Sequence, residues 1–276
     1  MRTADIDGVV LGEGSPKIIV PLTPGSLREL EEQAVALGGQ RLEDRKGRAL
    51  AFDSGGREGS AAHFTADIVE WRIDYFEGTN PAELLHAAAI LRARVPLPIL
   101  ATFRSHQEGG ERDIATADYL RLLQSLTASG SIAAIDVEFS RGNEVLSRIL
   151  RTANDSGVEV IASAHFFSST PPQADIVALF SDMAAAGADV AKIACMPQSP
   201  GDTLTLLQAT WEASQQLDIP LISMAMRQLG VVARLIGGFF GSSATFATVG
   251  AASAPGQVPA DELLPVLRAL EGFAGK

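Results

Sequence analysis

The stretch VEVIASAHFFSSTPPQADIVALFSDMAAAGADVAKIAC, residues 158–195, holds one complete strand–helix–strand unit. Apolar, β-branched runs at 158–164 and 189–194 predict two buried strands, and the helical periodicity of 173–186 predicts a helix between them. Two strands joined through a helix pair in parallel, because the crossover returns the chain to the end of the sheet at which the first strand began. This stretch therefore predicts a parallel sheet covered by helices.

The same alternation runs through most of the 276 residues. The predicted strands lie at 17–22, 68–73, 98–104, 132–139, 158–164, 189–194, 219–226 and 244–249. The predicted helices lie at 26–37, 81–94, 114–127, 143–154, 173–186, 202–216 and 260–270. About eight strand–helix units favour a (β/α)8 barrel over an open doubly wound sheet, and no G-x-G-x-x-G fingerprint follows the first strand. We expect one α/β barrel domain over residues 1–276.

Two segments fall outside the repeat. Residues 2–14 have the pattern of a short hairpin that could close the bottom of the barrel. Residues 38–67 form a long connection containing DSGGREGS, which predicts a surface insertion.

Composition narrows the class of protein. Lys and Arg number 22 against 33 Asp and Glu, a net charge of −11, which disfavours binding to a phosphate backbone. A single cysteine, Cys195, excludes an intramolecular disulfide and a cysteine-cluster metal site, and no other metal-ligand spacing is evident. There is no signal-peptide pattern and no apolar run of the ~18–20 residues that a membrane span needs. We expect a cytoplasmic protein with no nucleic-acid, membrane or metal partner.

Polar side chains recur at the carboxyl ends of the predicted strands, where barrel enzymes carry their chemistry. Residues i and i+2 of a strand share a face, so these groups point the same way within each strand. They are Glu70, Arg72 and Asp74 on the second strand, Thr102 and Arg104 on the third, Asp136 and Glu138 on the fourth, and Ser163 and His165 on the fifth.

Lys192 is the sharpest signal in the sequence, because it stands in the middle of the apolar run DVAKIA. Desolvation lowers a lysine pKa and yields a neutral amine that can form an imine with a ketone. A buried ion pair with Glu70, Asp136 or Glu138 is the structural alternative. His165 on the neighbouring strand favours the chemical reading, since it supplies a general acid and base beside the amine.

Several separate motifs match one known family. They are EWRIDYF (70–76), TFRSHQEGG (102–110), IDVEF (135–139), SAHFFSSTP (163–171), DVAKIACMPQS (189–199), ISMAM (222–226), GVVARLIGGFFGSSATF (230–246) and ASAPGQ (252–257). In these motifs and their order the chain resembles the type I 3-dehydroquinate dehydratases, Schiff-base enzymes that convert 3-dehydroquinate to 3-dehydroshikimate and water. The resemblance implies a (β/α)8 barrel, a homodimer and no cofactor.

The resemblance also implies roles for individual residues. Lys192 matches the imine-forming lysine, His165 the general acid/base, and Glu108 the carboxylate that orients the histidine. The positions that match substrate-contacting residues are Glu70, Arg72, Arg104, Met224, Met226 and Arg234, with Ser253 and Gln257 on a loop that closes over the substrate. The chain departs from the family pattern at Phe166, where Asp or Asn is usual after the histidine, at Pro21, and in the length of the 38–67 insertion.

Two other functions remain open at this point. Another class I Schiff-base lyase or aldolase on the same barrel would share Lys192 but usually needs a phosphate site after the last two strands. A non-catalytic, ligand-sensing barrel would bind the same kind of molecule without turnover. The reaction itself belongs equally to aromatic biosynthesis and to quinate breakdown.

Overall fold

A computed structural model describes residues 2–38, 66–78, 80–249 and 258–274. Its strands are β1 (Ala4–Ile6), β2 (Val9–Leu11), β3 (Lys17–Leu22), β4 (Ile68–Arg72), β5 (Ile99–Thr102), β6 (Ala134–Glu138), β7 (Glu159–Phe166), β8 (Val190–Cys195), β9 (Leu221–Ala225), β10 (Ala244–Thr248) and β11 (Val258–Pro259). Most of the predicted insertion, residues 39–65, lies outside the described residues.

Strands β3 to β10 form the wall of a closed parallel barrel. Each pairs with the next in chain order from β3 to β9, and β10 pairs with β3. A bridge between Leu221 and Ser242 joins β9 to the start of β10, where the Ser243 amide donates to the Leu221 carbonyl at 2.7 Å. The two-residue β11 adds to β10. This arrangement confirms the predicted (β/α)8 barrel.

Helices follow the barrel strands. They are α1 (Leu27–Gly38), α2 (Pro81–Arg94), α3 (Thr116–Thr127), α4 (Asn143–Ser156), α5 (Gln173–Ala185), α6 (Pro200–Gln216), α7 (Val231–Ile236) and α8 (Ala260–Ala274). Helices α2 and α6 each begin with proline after a capping side chain, Asn80 or Ser199, that accepts a backbone N–H of the first turn. Over the described ranges, every helix is too short or too polar to span a bilayer.

The lower part of the barrel interior is apolar. Each barrel strand contributes one buried side chain there, namely Ile19, Ile68, Leu100, Ala134, Ile161, Val190, Ile222 and Ala244. The hairpin of β1 and β2 packs Ala4, Ile6 and Leu11 into the same cluster and so closes the bottom, as expected for residues 2–14. Its two-residue turn is Asp7–Gly8 with positive φ at both positions, the backbone that a tight hairpin requires.

Two residues further along the strands, the interior becomes polar. The next inward positions include Glu70, Thr102, Asp136, Ser163 and Lys192, all of them buried. Because strand side chains alternate, these groups stand directly above the apolar layer, at the carboxyl end of the barrel. The predicted fifth strand ended at residue 164, whereas β7 continues to Phe166 because His165 and Phe166 pair with Ala194 and Cys195 of β8.

Candidate active site

Lys192 lies near the centre of the barrel mouth with its side chain only 3% exposed. Its Nζ donates to Asp136 Oδ2 at 3.1 Å and to Glu70 Oε1 at 3.4 Å, and it lies 4.7 Å from the centre of the Phe246 ring. The ion pair that the sequence offered as the structural alternative is therefore present, with Glu70 and Asp136. Glu138, also considered as a partner, instead accepts from Arg104 and Arg141.

Asp136 is the most strongly bound carboxylate beside the lysine. It accepts from Ser163 Oγ at 2.6 Å and from Arg104 Nη2 at 2.7 Å, in addition to Lys192. Burial alone would raise the pKa of Asp136, but the positive charges of Arg104 and Lys192 outweigh it and hold that pKa below its usual value. Asp136 therefore stays ionised next to the lysine at neutral pH.

His165 stands two residues beyond Ser163, which pairs with Lys192 in the neighbouring strand. Its Nδ1 lies 3.0 Å from Glu108 Oε2. Burial, reinforced by the positive charges of Arg104 and Lys192, lowers the pKa of His165 well below its usual value, so the ring is neutral at pH 7. A neutral ring that donates Nδ1–H to Glu108 keeps a free lone pair on Nε2, as a general base requires.

Glu108 is carried by a short 3-10 turn, His106–Glu108, in the loop after β5. Burial raises the pKa of Glu108 to about 7, against the opposing effects of the Arg104 charge and of a hydrogen bond from Ser140. The loop is held tightly, since a Cβ at Gly110 would lie 1.9 Å from the Arg104 carbonyl oxygen. The position of Glu108 thus depends on a glycine two residues later.

Arg104 joins the lysine side of the site to the histidine side. Its Nη2 donates to Asp136, and its Nη1 donates to Ser163 at 3.1 Å and to Glu108 and Glu138 at 3.3 Å each. The counter-ion of Lys192 and the partner of His165 therefore share one guanidinium. Arg72 forms a separate bidentate pair with Asp74 at 2.9 and 2.7 Å.

Arg234, on α7, is buried, but the donors of its guanidinium have few hydrogen-bond partners. Its Nη1 donates to the Phe246 carbonyl at 3.4 Å, while its Nε has no hydrogen-bond partner within the described part of the chain. Burial lowers the pKa of Arg234 to about 10, so it still carries its charge at neutral pH. A buried cation with an unpaired donor is costly unless a ligand completes it, which indicates a site for an anion.

One cavity at the barrel mouth brings nearly all of the predicted residues together. Those that line it are Glu70, Arg72, Arg104, Glu108, His165, Lys192, Met224, Met226 and Arg234. Ser253 and Gln257 lie outside the described residues. Thr102, which strand parity placed among the inward polar groups without a role of its own, also lines the cavity. Gly109, Phe167 and Phe246 line it too, and the sequence reading did not single them out.

The fold and the site define a (β/α)8 enzyme with a lysine–histidine pair and an unpaired arginine around one cavity. Residues 57–274 match the family model for type I 3-dehydroquinase. The chain is 40% identical over 273 residues to the 3-dehydroquinate dehydratase of Shigella flexneri serotype 5b, covering 98% of this chain and 99% of that one.

Solved structures agree with the sequence match. The 3-dehydroquinate dehydratase of Geobacillus kaustophilus superposes with a TM-score of 0.87 at 34% identity, over 99% of this chain and 98% of that one. The type I enzyme of Clostridium difficile gives a TM-score of 0.86 at 36% identity, over 99% of both chains. The chain belongs to the type I 3-dehydroquinase family, and it is accordingly a hydro-lyase.

Proposed function

We propose that the chain converts 3-dehydroquinate to 3-dehydroshikimate and water through a Schiff base on Lys192. The observation that carries the proposal is the shared cavity of Lys192, neutral His165 and the unpaired cation Arg234. The names of the relatives support the substrate. The Clostridium difficile structure is described as bearing covalent modified comenic acid, which supports a covalent step here.

Substrate binding follows from the charges of the cavity. Arg234 pairs with the substrate carboxylate, since a guanidinium offers two parallel donors to that group. Glu70, Arg72 and Arg104 contact the ring hydroxyls and the carboxylate region. Met224 on β9 and Met226 directly after it pack against the ring. Ser253 and Gln257 stay as predicted members of a loop that closes over the substrate.

The reaction begins at the lysine. Lys192 gives up a proton to Glu70, whose Oε1 lies 3.4 Å from Nζ, and the free amine attacks the ketone carbon. That carboxyl returns the proton to the carbinolamine hydroxyl, which leaves as water, and the nitrogen lone pair forms the C=N bond of a protonated imine. That cation is the electron sink that a ketone alone does not provide for removal of an α-proton.

Elimination then uses the histidine twice. His165 Nε2 takes the α-proton, and the C–H electron pair moves into an enamine conjugated with the Lys192 nitrogen. The enamine expels the β-hydroxyl, which leaves as water with the proton that His165 returns. Water hydrolyses the resulting conjugated imine, releasing the enone and restoring Lys192. Glu108 holds His165 in the correct tautomer and stabilises its protonated form.

Borohydride trapping is the direct test. Reducing the protein in the presence of 3-dehydroquinate should add a substrate- or product-sized mass that peptide mapping places on Lys192. Lys192→Ala should lose both the adduct and turnover, and it should melt at a lower temperature because Glu70 and Asp136 lose their shared cation. Lys17→Ala, which removes a lysine at the opposite end of the barrel, is the matched control and should keep both.

The possible results separate the candidate functions. Enone formation without an adduct would mean a different elimination mechanism on this fold. An adduct or turnover with sugar phosphates in place of 3-dehydroquinate would favour the aldolase. Binding of 3-dehydroquinate with neither adduct nor turnover would favour a ligand sensor. We also expect a homodimer, to be checked by light scattering.

A further inference from the structure

The two oxygens of the Glu108 carboxylate face different partners. Oε2 lies 3.0 Å from His165 Nδ1 and accepts from Arg104 Nη1 at 3.3 Å. Oε1 accepts a close hydrogen bond from the hydroxyl of Ser140, a residue 32 positions further along the chain. Ser140 does not line the cavity, so its contact with the site runs through Glu108.

Glu108 needs help to remain ionised where it lies. It is buried, and the carboxylates of Glu138 and Asp136 add to the effect of burial in raising its pKa. Arg104 opposes this, but its guanidinium is shared among three carboxylates. A serine hydroxyl donates to one acceptor at a time, and that of Ser140 donates to Glu108.

The segment that carries Ser140 is fixed from several sides. Ser140 is the middle residue of the 3-10 turn Phe139–Arg141, directly after β6. Arg141 donates to Glu138 at 3.0 Å and to the Ile114 carbonyl at 3.0 Å, and it lies over the Tyr119 ring. Glu138 in turn accepts the Ser105 amide at 2.7 Å, which ties the Glu108 loop to the same strand end. The segments that carry Ser140 and Glu108 are therefore both tied to Glu138 at the end of β6.

We propose that Ser140 is a positioning residue that orients the Glu108 carboxylate toward His165 Nδ1 and thereby keeps the His165 lone pair on Nε2. A carboxylate accepts the Nδ1 proton, whereas a protonated carboxyl donates to Nδ1 and forces the proton of the ring onto Nε2. The second tautomer has no base facing the substrate. The inference that the His165 tautomer controls turnover rests on the proposed function above.

The first test is kinetic. Ser140→Ala should lower kcat roughly ten- to hundredfold at pH 7, the range for losing a hydrogen bond to a charged group, and should leave KM unchanged. Because Glu108 then needs a higher pH to ionise, the acidic limb of the kcat profile should move upward and the loss should shrink toward pH 9. Ser140→Thr, which keeps the hydroxyl, should recover most of the rate.

Two outcomes would overturn the proposal. One is a Ser140→Ala variant with the kcat and the pH profile of the parent. The other is an equal loss of kcat at every pH, which would indicate a purely structural role. Ser147→Ala on α4, whose hydroxyl bonds only a backbone carbonyl of its own helix in the described chain, is the matched control. Melting curves show whether each variant folds.

The second test does not depend on turnover. The chain has 4 histidines, so nitrogen-15 NMR can follow the His165 ring, assigned by comparison with His165→Gln. Near pH 7.5 the parent should show a protonated Nδ1, and Ser140→Ala should show the Nε2–H tautomer rising. Unchanged spectra would refute the positioning role even if the parent proved inactive on 3-dehydroquinate, whereas an inactive parent with the tautomer shift would refute only the proposed reaction.

Discussion

Arg234 differs from the other cations that line the cavity. Lys192, Arg72 and Arg104 each have a carboxylate within hydrogen-bond distance, and in the described part of the chain Arg234 has none. A cation paired inside the protein has less to offer an anionic ligand than one whose donors are free. We therefore propose that Arg234 recognises the substrate carboxylate.

Arg234→Lys keeps the charge but removes the two-pronged donor geometry. We expect KM to rise roughly tenfold or more, the value of one good charge-assisted hydrogen bond, with a much smaller change in kcat. Steady-state kinetics with 3-dehydroquinate measures both, and Arg148→Lys on the exposed face of α4 is the control. An unchanged KM would place the carboxylate site elsewhere in the cavity.

At the scale of an element, the strands show which structural features the sequence alone predicts. The run 17–22 is observed as β3 with the predicted bounds. Alternation placed Glu70 and Asp136 on inward faces, and the apolar run around Lys192 predicted its burial, because both are local properties of a strand. The contacts of Phe246 with Lys192 and of Ser140 with Glu108 join segments far apart in the chain. They depend on the register of strands around the whole barrel, which no local pattern contains.

Strand β7 begins at Glu159, half-buried at the bottom of the barrel. Burial, with the nearby negative charge of Asp189, raises the pKa of Glu159 to about 6. Since the folded state holds this proton more tightly than the unfolded chain, the stabilisation from Glu159 is full below the unfolded value and is lost as pH rises through about 6.

Glu159→Gln replaces the charged form by a neutral isostere. The variant should melt at a higher temperature than the parent at pH 8 and close to the parent at pH 4.5, where the glutamate is largely protonated in the fold. Thermal unfolding at the two pH values measures this, and Glu144→Gln on the exposed start of α4 controls for the loss of one surface charge. Equal changes in melting temperature at pH 8 and pH 4.5 would contradict the raised pKa of Glu159.

At the scale of the whole molecule, the candidate active site draws on nearly every strand of the barrel. Glu70 comes from β4, Thr102 from β5, Asp136 from β6, Ser163 and His165 from β7 and Lys192 from β8, while β9 and β10 supply Met224 and Phe246. The charged groups lie in the upper half of the barrel, since the hairpin and the apolar layer fill its lower half. A closed bottom leaves the carboxyl end as the place where a ligand can enter this interior.

The chain as a whole carries a net charge of −11, and like charges over its surface repel one another more in the folded state than in the expanded chain. Raising NaCl from about 0.02 M to about 0.2 M shortens the screening length to less than half and should raise the melting temperature at pH 8. The rise should shrink at pH 5, where protonation of carboxylates reduces the net charge. Scanning calorimetry at both pH values decides the point, because a melting temperature that falls with salt at pH 8 would mean that attractive ion pairs outweigh the repulsion.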